Sequence, residues 1–342
     1  MKTLTPSMRL KVNRDTFYIP DTNKGMYFRN NLSSFRMEGN AIVQWIEMLL
    51  PMFNGEHTLK DLTAGLSVPY QKRVMDIAEV LFKNGFVRDV SQDRPHQLAD
   101  QVLEKYASQI EFLDHLGGSG AYRYQTYRQM KILAIGSGPF LISLVSALLE
   151  SGLPKFHVLI TNSVPTNKQR LKGIVEHACK TDLEVTVEEI FHDSKDEISM
   201  KELVRPYNSI IYVSQEGDVE RLRDIHKACR QEKKIFIPAL FLHQVGLAGP
   251  LIKPESVGCW ESAWRSIHKT ALGKEQQSQT SNLIAESLLA NVIVFELFKE
   301  MTGVSESEPK SQFYLLNPET LEGSWHSFVP HPLVTGNVLV RQ

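Results

Sequence analysis

The sequence predicts an α/β protein in two parts, a small winged-helix module followed by a doubly wound parallel sheet. Three observations predict it. From Lys131 onward, short apolar runs alternate with longer amphipathic stretches, the signature of repeated βαβ units. The first of those runs leads straight into Gly136-Ser137-Gly138-Pro139, a strand-to-helix turn. The N-terminal part has the order strands, three helices, strand.

In that N-terminal part, residues 10–20 alternate weakly and read as a strand. Residues 25–29 and 33–37 read as two more, joined by an Asn30-Asn31 turn. Ile42, Trp45, Ile46, Leu49 and Leu50 then recur at helical spacing, with Asn40 as the N-cap. A short helix is expected over 58–66. Pro69 opens another over 70–84, with Val74, Ile77, Ala78, Leu81 and Phe82 on one face. Gly85 ends it, and 86–90 form a strand. The polar, proline-containing stretch 91–95 marks a boundary. A helix is expected over 98–116, with Gly117-Gly118-Ser119-Gly120 as a flexible hinge. The predicted domains are therefore 1–92, a linker 93–130, and 131–342.

In the second domain, strands are expected at 131–135, 156–161, 185–190, 209–214 and 235–242. Helices are expected after Gly138, over 167–180, at 199–202 and over 218–231. Capping boxes are read at Thr166/Gln169 and at Ser199/Glu202. A late apolar helix covers 285–301. Residues 312–316 and 321–329 close the chain as an antiparallel pair.

The bulk numbers exclude several classes. Charged residues make up 23% of the 342, and the net charge is −1, which gives no pull toward nucleic acid or anionic membrane. No apolar run reaches the roughly 18 residues of a membrane span, and the N-terminus has no apolar signal core. Cys179, Cys229 and Cys259 are scattered, so no disulfide framework is expected and the chain reads as cytoplasmic.

Each chemical motif has a structural alternative. Gly136-x-Gly138 sits where a dinucleotide fingerprint would, but the third glycine is replaced by Leu141. No acid ends the second strand at Thr161-Asn162 to hold a ribose hydroxyl. The alternative is a turn that simply needs glycine. Cys259 has Ser262 at the paired-thiolate position, too few ligands for zinc. His326 and His331 are five apart, so a regular strand points them to opposite faces. Lys72 and Arg73 share their helix with Asp76 and Glu79, which argues against reading DNA.

Longer stretches carry a family resemblance. Phe35-Arg36-Met37-Glu38-Gly39, a Trp45 helix and Asn84-Gly85-Phe86-Val87 together resemble the precursor-peptide recognition module of ribosomal-peptide biosynthesis. Ala248-Gly249-Pro250-Leu251-Ile252-Lys253-Pro254, Cys259-Trp260-Glu261-Ser262-Ala263-Trp264-Arg265 and Leu321-Glu322-Gly323-Ser324-Trp325-His326 are similar to the ThiF-like proteins of thiazole/oxazole-modified bacteriocin clusters. So are Pro330-His331-Pro332 and the helix over 282–302. The chain ends soon after this closing segment, which leaves open whether it is a fragment of a longer protein.

The resemblance implies an E1/ThiF-like fold in a degenerate, Rossmann-type form. Active members of the family carry acids after the second and fourth strands; here those strands end in Thr161-Asn162 and Ser214-Gln215. Gly136, Gly138 and Arg170 remain as a vestigial nucleotide site, and neither a cofactor nor a metal is expected. The implied role is non-catalytic: binding a precursor's leader peptide and presenting it to a YcaO-type cyclodehydratase for azoline formation. A homodimer through the second domain is expected by analogy. The peptide would add a strand to Ser33, Ser34, Phe35, Arg36 and Met37, beside Arg73, Asp76, Ile77 and Val80 of the helix. The rival readings are an active adenylating enzyme and a winged-helix transcriptional regulator.

Overall fold

The computed structural model describes residues 3–21, 25–30, 33–39, 41–161, 165–190, 199–215, 218–242, 245–256, 260–264, 282–304 and 311–329. Asn31, Asn40, Asn162, Cys259 and His331, all singled out above, lie outside them. The chain divides into two compact units, Met1–Tyr122 and Arg123–Gln342. The division falls inside the segment read as a linker, and most of that segment belongs to the first unit.

Unit 1 holds two three-stranded antiparallel sheets. The stretch read as one strand over 10–20 is two, β1 (Arg9–Val12) and β2 (Phe17–Asp21). A turn at Asn13 to Thr16 separates them. It is fixed by the Asn13 and Thr16 side chains, which donate to the Gly85 and Phe86 carbonyls. β2 forms a sheet with β3 (Gly25–Arg29) and β4 (Ser34–Glu38), in the order β2-β3-β4. α1 (Ile42–Leu49) follows, then β5 (Asn54–Thr58), α2 (Leu59–Thr63), α3 (Val68–Lys83) and β6 (Val87–Asp89). The second sheet has the order β5-β1-β6.

α2 starts at a capping box in which Thr58 and Asp61 satisfy each other's backbone N–H groups. Leu10, Met26, Phe28, Ile42, Ile46, Val74, Ile77 and Leu81 pack into one core. The helix expected over 98–116 is broken at Tyr106 into α4 (Asp100–Lys105) and α5 (Ala107–Gly117).

The glycine-rich stretch is a tight helix corner where a flexible hinge was expected. Ser119 N–H bonds Asp93 at 2.9 Å, and Gly120 N–H bonds Asp114 at 2.7 Å. A Cβ on Gly120 would stand 2.2 Å from the Ile110 carbonyl, so glycine is needed for the chain to pass. α6 (Gly120–Arg128) starts there.

Unit 2 is built on an eight-stranded mixed sheet. Its parallel half comprises β7 (Ile132–Gly136), β8 (Lys155–Ile160), β9 (Thr186–Ile190), β10 (Ser209–Ser214) and β11 (Ile235–Leu242). The antiparallel extension comprises β12 (Val245–Ala248), β13 (Gln312–Leu316) and β14 (Gly323–Ser327). The sequence reading had the closing pair and lacked β12, so the sheet is mixed, not wholly parallel.

The strand order β14-β13-β12-β11-β10-β7-β8-β9 reverses between β7 and β10. Ligands of open α/β sheets bind beyond the carboxyl ends of strands at such a switch point. The connecting helices are α7 (Gly138–Glu150), α8 (Pro165–Thr181), α9 (Met200–Val204) and α10 (Val219–Gln231). The Ser199/Glu202 capping box is present. α11 (Leu283–Met301) is capped by Asn282, whose side chain accepts from Ala285 N–H.

Within unit 2, the last residue of α6, Arg128, has a side chain that is 3% exposed. It bonds Asp182 at 3.0 Å, Glu184 at 2.7 Å and the Gly152 carbonyl at 2.8 Å. Burial opposes its charge, but the bonds to Asp182 and Glu184 outweigh that and raise its pKa. No described helix is long and apolar enough to cross a membrane.

Candidate functional site

The first candidate site is the outer edge of β4. The hairpin closes with Asn30 N–H donating to the Ser33 carbonyl at 2.9 Å. Pairing alternates from there, so Phe35 and Met37 turn their N–H and C=O groups toward β3, opposite Phe28 and Met26. Ser34, Arg36 and Glu38 therefore turn theirs away, to an edge that no described strand covers.

The other edge of the sheet is blunted. The same alternation turns the backbone nitrogen of Pro20 outward on β2, where it costs the ladder no bond and offers no donor.

α3 runs beside β4 in the opposite direction. At one end Ser33 Oγ donates to the Asn84 carbonyl at 3.2 Å, and Asn30 Nδ2 donates to Gly85 at 3.2 Å. At the other end the Arg73 guanidinium lies against Gly39, 2.9 Å from where a Cβ would stand. Strand 33–39 spans about 20 Å and helix 73–84 about 16 Å, so the two are nearly coextensive. Asp76 and Val80 are exposed and Arg73 is half-buried along this stretch.

Ile77 is different. It is 2% exposed and belongs to the core, so it does not line a surface groove as the helical spacing suggested. Met37 is also buried, and Phe35 stacks on Phe28 with centroids 5.1 Å apart. The side chains of Arg36, Asp21 and Glu38 form an ion-pair cluster, at 2.9 and 3.1 Å from Arg36 Nε.

The second candidate site is the switch point of unit 2. Both of its glycines have packing duties. A Cβ on Gly136 would stand 2.6 Å from Val213 Cγ2 on the neighbouring strand. Gly138 has φ +65°, and a Cβ there would stand 2.5 Å from Gln215 Oε1. The Gln215 carboxamide thus lies over the turn where a nucleotide phosphate would approach, and its Nε2 donates to Glu286 Oε1.

Glu286 is 2% exposed and was not anticipated from sequence; it arrives from the first turn of α11, 71 residues beyond Gln215. Arg170 is exposed on α8 and makes no ion pair with a described residue. Thr161 follows β8 and supplies no carboxylate.

The remaining candidates fall elsewhere. Cys229 is buried, and desolvation pushes its thiol far above the usual range, which makes it inert. His326 lies on exposed β14 with Nε2 2.8 Å from Ser324 Oγ. The described residues contain no His, Cys, Asp and Glu grouping fit for a metal ion.

No protein-family model matches the chain, and no curated protein is significantly similar to it. Solved structures are similar in fold. E. coli MccB bound to ATP superposes with a TM-score of 0.62 at 16% identity, covering 96% of this chain and 100% of that one. The microcin C7 biosynthetic enzyme MccB in complex with N-formylated MccA gives 0.63 at 14% identity, covering 96% and 99%. PaaA gives 0.63 at 15% identity, covering 92% and 99%. This chain therefore shares the fold of MccB along nearly its whole length.

Proposed function

We propose that the chain is a non-catalytic recognition protein that binds the leader of a ribosomally made precursor and presents it to a YcaO-type cyclodehydratase. Unit 1 serves as the winged-helix peptide-recognition module, and unit 2 as a degenerate E1/ThiF-like domain. The observation that carries this reading is the β4 edge: three residues present outward backbone groups, α3 flanks them, and the opposite edge ends in an outward proline. An extended peptide added there gains main-chain hydrogen bonds, with specificity from side chains set between β4 and α3. That a protein of this fold, MccB, has been crystallised with the peptide MccA supports the reading. Asp76 and Glu79 on the outer part of α3 weigh against the DNA-binding alternative.

The non-catalytic part rests on Gln215, which lies over the Gly138 turn, and on the lack of a carboxylate at Thr161. One observation favours the rival reading of an adenylating enzyme: Glu286 places a buried carboxylate at the switch point of a fold that, in MccB, has been crystallised with ATP. Fluorescence anisotropy with the labelled cognate leader tests the binding reading. Val80→Glu and Arg36→Pro should each weaken binding about tenfold, a hot-spot-sized loss. Unchanged affinity in both variants, with intact circular dichroism, places the peptide elsewhere.

A further inference from the structure

The groove between β4 and α3 has two unlike ends. On β4, alternation turns Phe35 and Met37 toward α3 and the core, and Ser34, Arg36 and Glu38 to the other face. Gly39 continues the inner row, since a Cβ on it would meet the Arg73 guanidinium of α3. A peptide bonded to the outward groups of Ser34, Arg36 and Glu38 has every second side chain on that inner face. Those side chains come to lie beside Phe35, Met37 and Gly39.

The spacings of helix and strand agree. Arg73 and Val80 stand seven residues apart, on one line of α3 and about 10 Å apart along its axis. Phe35 and Gly39 stand four residues apart, about 13 Å along the strand. Ser33 is bonded to Asn84. Val80 is one helical turn from Asn84, about 6 Å, and Phe35 is two residues from Ser33, about 7 Å. Val80 is therefore level with Phe35, as Arg73 is with Gly39.

The Phe35 end is apolar, and Val80 is 38% exposed there. Between the ends, Met37 and Ile77 are buried and present no polar partner. At the Gly39 end Arg73 is half-buried, and it makes no ion pair with a described residue. Glu38 is held by Arg36 at 3.1 Å, on the other face of the strand. Asp76 is exposed on the rim of the groove and is not bonded to Arg73. Water screens the exposed carboxylate, whereas a half-buried guanidinium keeps more of its attraction for an incoming charge.

We propose that the leader is recognised by a carboxylate and a bulky apolar side chain four residues apart in one extended segment. The carboxylate meets Arg73, and the apolar group sits between Phe35 and Val80. This rests on the strand-edge reading and adds a side-chain rule to it. A spacing of four keeps both groups on the inner face; a spacing of three turns one of them out.

The test is anisotropy on the full chain with fluorescein-labelled threonine peptides that carry one glutamate and one leucine four residues apart. Both orders are used, because a strand can pair in either direction. The better-binding order should lose about fivefold when lysine replaces glutamate, and as much when the spacing is three. Arg73→Glu should reverse the preference between glutamate and lysine. Arg73→Gln, which adds no charge, should abolish it, with circular dichroism checking the fold of each variant. Arg36→Pro removes an edge N–H and should weaken the glutamate and lysine probes alike. If Arg36→Pro weakens binding but both Arg73 variants keep the preference for glutamate, the side-chain rule is overturned and the strand-edge reading stands. If Arg36→Pro has no effect, the strand-edge reading fails and the rule fails with it. The rule is also overturned if no probe binds saturably, or if glutamate and lysine, or the two spacings, bind equally; the cognate leader then judges the edge by itself.

Discussion

An open strand edge can accept an extended peptide and a sheet's switch point can accept a small ligand, and in this chain the β4 edge and the switch point of unit 2 are finished in opposite ways. At β4 the backbone groups of Ser34, Arg36 and Glu38 face outward with no described strand on them. At the switch point the Gly138 turn is already met by Gln215, which is tied in turn to Glu286. An open ladder of backbone donors and acceptors recognises an extended peptide with little regard to sequence. A glycine turn recognises phosphate only while its surroundings stay empty. Fold alone does not assign an activity; the side chains that line or fill the sites decide it.

The largest effect expected concerns the frame of unit 2. Arg128→Ala removes the guanidinium that neutralises buried Asp182 and should cost about 3–5 kcal/mol of stability, read from denaturant unfolding. A loss below about 1 kcal/mol would mean that the cluster is hydrated in solution. Next is the contrast itself. Arg36→Pro should weaken leader binding about tenfold, whereas a proline replacing Tyr18 on the already blunted β2 edge should change it less than twofold. Equal losses would mean that both edges matter, or that the peptide lies across the face of the sheet.

Smallest is the effect of opening the switch point. Gln215→Ala clears the Gly138 turn, yet calorimetry should detect no ATP binding, because Thr161 supplies no carboxylate for a ribose. Measurable affinity would mean that Gln215 alone keeps the nucleotide out.

Legibility in the sequence followed burial. The central parallel strands were readable because burial on both faces makes them continuous apolar runs, as in Ile132–Gly136 and Ser209–Ser214. β5 was not, since Asn54-Gly55-Glu56-His57-Thr58 has no apolar alternation and is held by its pairing with β1. The split between β1 and β2 depends on Asn13 and Thr16 bonding carbonyls 72 and 70 positions away, and no local pattern reveals that.

At the β4 site the strand was legible, and its outward residues follow once the hairpin register is known. The helical side was legible in part. Val80 and Ile77 both fit the spacing, but only tertiary packing assigns Ile77 to the core. Glu286 lay beyond reach because its proximity to Gln215 comes from α11 packing on the sheet, not from any motif.

The most direct measurement combines the two regions in one sample: ATP–pyrophosphate exchange with the cognate leader present, beside anisotropy of the same leader. The expected result is saturable leader binding with exchange no faster than in a protein-free control. Leader-dependent exchange above that control would contradict the account and make the chain an adenylating enzyme.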